Sequence, residues 1–131
     1  MQLNYLAIFL AAVAAFVTGS IWYGIFGKHW MAALGKSRED MGGIPIRPMI
    51  MSFIAALIMG WVLAGIIGHV GHVSVSGGII SGAFVWFGFV ITTMTVNHAY
   101  QDAKLKLTLI DGGHWLAVLM VMGAVIGWFG V

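Results

Sequence analysis

Four long apolar segments follow one another along the chain, separated by polar connections. They cover residues 3–27, 49–67, 79–96 and 114–131. A helix needs about 20 residues to cross about 30 Å of hydrocarbon, and each segment is close to that length. The segments are apolar on every face and lack the alternation of short barrel strands, so the pattern predicts helices. We therefore expect one all-α membrane domain, residues 1–131, with four transmembrane helices.

The composition agrees with a membrane protein. Hydrophobic residues make up 61% of the chain and charged residues only 8%, and the mean hydropathy is +1.02. A soluble domain has about 25% charged residues, so this chain cannot cover itself with a water-compatible surface. The net charge of +2 is also too small for a polybasic patch. These values exclude a soluble enzyme, a disordered tail and a nucleic-acid binder. The absence of cysteine also excludes thiolate chemistry.

The charged side chains predict the orientation in the membrane. All six basic and all four acidic residues lie in two connections, 28–48 and 97–113. In a four-span protein these two connections lie on the same side of the bilayer. The positive-inside rule places both in the cytoplasm and puts the two termini outside. The expected location is the bacterial inner membrane, which the chain crosses several times.

Two short motifs recur at a nearly constant offset. Trp22–Phe26 is echoed by Trp86–Val90, 64 positions later, and Met59-Gly60 is echoed by Met122-Gly123, 63 positions later. The offset is consistent with two parallel copies of one helical hairpin, residues 1–67 and 68–131. Coincidence in a chain rich in glycine and aromatic residues is the alternative.

Small residues recur every four positions within the apolar segments. Such a stripe lets two helix backbones approach closely where lipid supplies no hydrophobic driving force. The contacts can form within the bundle or between protomers, and the pattern leaves both open. The packing positions predicted in this way are Ala11, Ala15, Gly19, Ala56, Gly60, Ala64, Gly123 and Gly127.

Few polar side chains are available for chemistry, and the topology brings them to one depth at the predicted inner surface. Helical spacing puts His98 near Asp102 and Asp111 near His114, where Asp111 is placed to cap the fourth helix. Imidazoles and carboxylates together suit a divalent metal, a proton relay or a cation path. Interfacial residues without a specific role are the alternative, and because no pair has a dedicated metal spacing, no metal or cofactor is predicted. The candidate polar site consists of His29, Asn97, His98, Asp102, Asp111 and His114.

Several blocks of the sequence resemble the DUF1761 family. The blocks are Trp22–Trp30, Gly35–Asp40, Trp86–Phe89, Leu107–Asp111 and Met122–Ala124, and they cover nearly the whole chain in order. The resemblance implies a small four-helix membrane protein. It transfers no catalytic residue, because the family has no assigned activity.

Three classes of function remain after these arguments. The first is a non-enzymatic bundle that associates with itself or serves as an accessory subunit, with the lipid bilayer and another membrane protein as its partners. The alternative is a small transporter or channel for protons, cations or a small solute, with His29, His98 and His114 lining a cytoplasmic vestibule. An enzyme is the least expected class, because the pairs His98/Asp102 and Asp111/His114 lack a third orienting group.

Overall fold

A computed structural model describes residues 3–131 and contains four long helices. They are α1 (Tyr5–Leu34), α2 (Ile46–Val70), α3 (Val75–Tyr100) and α4 (Leu105–Phe129). Each is long and apolar enough to cross a membrane, and the described residues contain no strand. The prediction of an all-α, four-helix membrane protein is confirmed.

The helices extend beyond the apolar segments at the end where the α1–α2 and α3–α4 connections lie, which we call the charged end. α1 continues to Leu34, and α4 begins at Leu105, nine residues before the predicted span. Hydropathy marks where a helix lies in hydrocarbon, whereas the helix itself runs on until its backbone hydrogen bonds end. Asp111 therefore does not cap α4. Lys104 stands at the cap, and Asp111 lies about 10 Å further along the helix.

Polar caps define the ends of α1. The Asn4 side chain accepts a hydrogen bond from the Ala7 amide at 3.1 Å, which satisfies one free donor of the first turn. Its amide nitrogen donates to the Phe129 carbonyl at 3.2 Å and so ties α1 to the last turn of α4. At the other end Gly35 has φ 71°, a left-handed conformation that glycine adopts without strain.

The connection between α1 and α2 contains a short 3₁₀ turn, Arg38–Met41. Asp40 accepts hydrogen bonds from the Ser37 backbone amide at 2.8 Å and from the Ser37 hydroxyl at 3.0 Å. These bonds favour the charged carboxylate, the backbone bond most of all, and they lower the pKa of Asp40 below its ordinary value. The connection is therefore ordered, and it leads directly into the first turn of α2.

α4 is the central helix of the bundle. It packs along α3 on one side and along α1 on the other, while α2 packs mainly on α1. In its most apolar window 44% of α4 is buried, compared with 6% of α3, so α3 lies at the periphery. The largest fully buried side chains lie from the middle of the bundle to the end opposite the charged end; they are Leu63, Ile67, Val118, Met122 and Ile126.

Glycines bring the backbones of α3 and α4 into direct contact. A Cβ atom added at Gly78 would overlap the carbonyl oxygen of Gly123, and one added at Gly123 would overlap that of Gly78. Gly82 lies in the same way against Leu119, and Gly127 against Ser74. We call this contact the glycine seam.

The small residues of α1 and α2 also pack inside the single chain. Gly60 lies against Met122 and Ile8. Gly19 packs against His114, at the site described below. The alanines of the stripes are buried in the same core: Ala11, Ala15, Ala56 and Ala64. Within the described residues, the predicted packing positions thus make their contacts in one chain.

The two echoed tryptophans contact the same stretch of α4. Trp22 donates its indole N–H to the Ile110 carbonyl at 3.0 Å, and Trp86 donates to the Gly112 carbonyl at 2.7 Å. Trp86 opens a π-helical turn, Trp86–Val90, within α3. In two copies of one hairpin, the contact of α1 with α4 would correspond to the contact of α3 with α2. α1 packs closely on α4, whereas α3 has little contact with α2, so the surroundings of the two motifs differ. The proposed hairpin repeat remains a prediction.

Candidate functional site

Tyr23, Asp111 and His114 form a polar cluster where α1 packs against α4. The Tyr23 hydroxyl donates to Asp111 Oδ1 at 2.5 Å, a length typical of a hydroxyl bound to a carboxylate. The ring centroids of Tyr23 and His114 lie 5.0 Å apart, and those of His114 and Trp115 lie 4.6 Å apart. The cluster thus combines one carboxylate with a phenol and an imidazole, and the Trp115 indole packs beside it.

Glycines create the space for these large rings. A Cβ atom at Gly19 would come within 3.0 Å of His114 Nε2, so the bare backbone of α1 makes room for the imidazole. On the other helix, a Cβ atom at Gly113 would come within 2.8 Å of the Trp22 ring. His114 Nδ1 is buried and has no hydrogen-bond partner among residues 3–131. The positions of these rings therefore depend on the close approach of α1 and α4.

A cavity of about 390 Å³ opens beside the cluster, between α1, α2 and α4. This volume is within the range of roughly 300–1,000 Å³ that small-molecule sites have. Toward the middle of the bundle the cavity ends at Ala15, Ala56 and Val118. Its polar wall consists of Ser20, Tyr23, Ser52 and His114. Its aromatic wall consists of Phe16 and Trp115.

The structure brings only two of the six candidate polar residues to this cavity region, Asp111 and His114. The His98 Nδ1 atom is 2.7 Å from the Thr108 hydroxyl oxygen, and this hydrogen bond joins α3 to α4 away from the cavity. The other three candidates are exposed; they are His29, Asn97 and Asp102. No three His, Asp or Glu side chains of the described chain come together as metal ligands.

Tyr23 belongs to the cluster but is not among the site residues predicted from the sequence. It stands in an aromatic motif, and it also continues a series of small residues at four-residue spacing. The series on α1 is Ala7, Ala11, Ala15 and Gly19, and Tyr23 is its next position. Extending the stripe by one step would have placed the phenol on the face that α1 turns toward α4.

These features define the class of protein: a four-helix membrane protein with one polar cluster and an adjoining cavity toward its charged end. The sequence model of the family described as "Protein of unknown function (DUF1761)" matches residues 6–127, which include the whole cluster. The chain belongs to the DUF1761 family. No curated protein and no solved structure matches it.

Proposed function

We propose that this protein is a small, non-enzymatic membrane carrier that binds a small solute between α1, α2 and α4. The observation that carries the proposal is the Tyr23–Asp111 hydrogen bond beside a cavity of ligand size, between two helices long and apolar enough to span a membrane. Ionisable groups in membrane helices are costly, and they commonly mark substrate or ion pathways. In the proposed orientation the charged end faces the bacterial cytoplasm.

The packing beyond the cavity favours a carrier over a channel. Ala11, Met122 and Ile126 are 0% exposed, and Leu63 is 2% exposed, so tightly packed side chains occupy the bundle beyond the closed end of the cavity. A solute bound in the cavity can therefore leave on the other side of the membrane only after helices move. α2 is suited to such movement, because it packs mainly on α1 and forms one wall of the cavity.

The cavity hydroxyls support a non-enzymatic role. Ser20 donates to the Phe16 carbonyl at 3.0 Å, and Ser52 donates to the Pro48 carbonyl at 2.8 Å. An activated serine nucleophile needs a general base as its hydrogen-bond partner instead. The serines of this cavity are therefore not arranged for covalent catalysis.

We favour the transporter alternative over the self-associating bundle or accessory subunit, because the stripes of small residues that motivate the bundle are buried within one chain. Self-association itself stays a prediction. The transporter alternative also changes in detail, because His114 replaces the group of His29, His98 and His114 as the imidazole of the site.

Replacing Tyr23 with phenylalanine tests the proposal. We expect proteoliposomes with the native protein to take up methylammonium, glycerol or protons faster than empty liposomes. Tyr23→Phe removes the hydroxyl from the cavity wall together with its part-buried hydrogen bond to a charged group. Such bonds are commonly worth about 1.5–3 kcal/mol, so uptake should fall about tenfold or more. Radiolabelled solutes and an internal pH dye measure the flux.

Tyr5→Phe is the matched control, because Tyr5 is exposed and lies outside the cavity. It should transport like the native protein. Native proteoliposomes no faster than empty ones for all three probes would refute the carrier function.

A further inference from the structure

The polar wall of the cavity offers acceptors but no free hydroxyl donor. Ser20 and Ser52 have each given their hydrogen to the backbone carbonyl four residues earlier, and Tyr23 has given its hydrogen to Asp111. A hydroxyl has one hydrogen and two lone pairs, so each oxygen now presents lone pairs alone. A ligand that satisfies these three hydroxyl oxygens has to bring its own hydrogen-bond donors.

Charge and aromatic rings favour a cation in the same place. Asp111 places a carboxylate directly behind Tyr23, to which it is hydrogen-bonded, and so adds negative charge next to the cavity. Phe16, Tyr23 and Trp115 line the cavity with aromatic rings, and such rings attract ammonium groups placed over their faces. An ammonium group supplies three N–H donors together with the positive charge.

An apolar groove continues from the cavity along the outer surface of α1 and α2. It has a volume of about 360 Å³ and shares Phe16 and Met49 with the wall of the cavity. Its other walls include Val13, Val17 and Ile50, and these side chains are exposed where lipid surrounds the helices. From Tyr23 to Val13 the cavity and groove follow α1 for about 15 Å.

Resting on the proposed function, we propose that the solute is a single-chain amphiphile with an ammonium head. The head lies in the cavity among the acceptor oxygens and aromatic rings, and the chain lies in the groove. Both spaces are at the small end of the range of roughly 300–1,000 Å³ for ligand sites, which suits one chain rather than a two-chain lipid. The ligand enters sideways from the membrane, because the groove is open to lipid.

Photo-crosslinking in phosphatidylcholine nanodiscs tests this assignment. The probe is decylammonium with a diazirine at the end of the chain, and mass spectrometry maps the labelled residues. We expect labelling at Val13, Val17 and Ile50. Unlabelled decylammonium should compete at least tenfold better than decanoate or decanol at equal membrane concentration. Phosphatidylethanolamine, which has an ammonium head group but two acyl chains, should not compete.

A matched pair of variants separates the groove from the helix surface in general. Val17→Trp fills the groove and should reduce labelling at least tenfold. Ile21→Trp adds the same ring to an exposed position of α1 outside the groove and should leave labelling unchanged.

The outcomes distinguish this inference from the proposed function. Equal competition by decanoate or decanol would overturn the ammonium head, and competition by phosphatidylethanolamine would overturn the single chain. Methylammonium flux without labelling in the groove would overturn the amphiphile and leave the carrier standing. Absence of both flux and labelling would overturn both.

Discussion

Replacing Gly78 with alanine is expected to destabilise the bundle by about 3 kcal/mol or more. The added methyl group would overlap the carbonyl oxygen of Gly123, and a backbone atom cannot turn aside as a flexible side chain can. Extra groups forced into well-packed cores commonly cost about 1–3 kcal/mol, and relief here requires α3 and α4 to separate. The effect should be large because the glycine seam joins the central helix to its principal neighbour.

Two further glycine variants turn this expectation into a graded series. Gly65→Ala meets no atom within 4 Å and should be neutral, or stabilising by up to about 1 kcal/mol through helix propensity. Gly60→Ala meets the Met122 methyl group at 3.2 Å and Ile8 at 3.3 Å, so it should fall between the other two. Far-UV circular dichroism during unfolding in mixed SDS and maltoside micelles measures the order. Equal stability of Gly78→Ala and Gly65→Ala would show that the helices do not meet at the seam.

Replacing Asp111 with asparagine should reduce methylammonium transport about 30-fold. Asparagine keeps the shape and an acceptor for Tyr23 but removes the charge. Two unit charges 4 Å apart interact by about 4 kcal/mol at an effective dielectric constant of 20. Asp111 acts on the cavity from behind Tyr23, so about 2 kcal/mol, or 30-fold, is a reasonable expectation. Unfolding stability should be equal or higher, because a neutral amide costs less to bury than a carboxylate.

Asp102→Asn is the matched control for this prediction. Asp102 is exposed in the turn between α3 and α4, and its φ of 54° is a conformation that asparagine tolerates well. Its transport rate should equal that of the native protein. An Asp111→Asn protein that transports at the same rate as Asp102→Asn would show that the carboxylate has no part in solute binding.

The sequence predicts the helices well and their ends less well. Long apolar runs identify hydrocarbon-spanning segments directly, because only a helix satisfies its own backbone in lipid. The same runs place Asp111 outside α4, since Gly112 and Gly113 weaken the hydropathy where the helix still continues. The sequence pattern therefore predicts a helix cap for a carboxylate that lies within the helix, beside the cavity.

The site depends on helix rotation, which spacing alone does not define. Topology brings His29, Asn97 and Asp102 to the same end of the bundle as Asp111, yet all three face outward. Close glycine contacts set the rotation, with Gly19 admitting His114 and Gly113 admitting Trp22. Those contacts exist only once two helices are paired.

Thiol labelling in native membranes tests the central claim most directly, because the chain has no cysteine of its own. A small, charged thiol reagent should react quickly with Ser20→Cys and Ser52→Cys, whose side chains line the cavity. It should react slowly with Ile21→Cys, whose exposed side chain is next to Ser20 but outside the cavity. Decylammonium should protect the two cavity cysteines. Equal labelling of Ser20→Cys and Ile21→Cys, with no protection, would contradict a solute cavity between α1, α2 and α4.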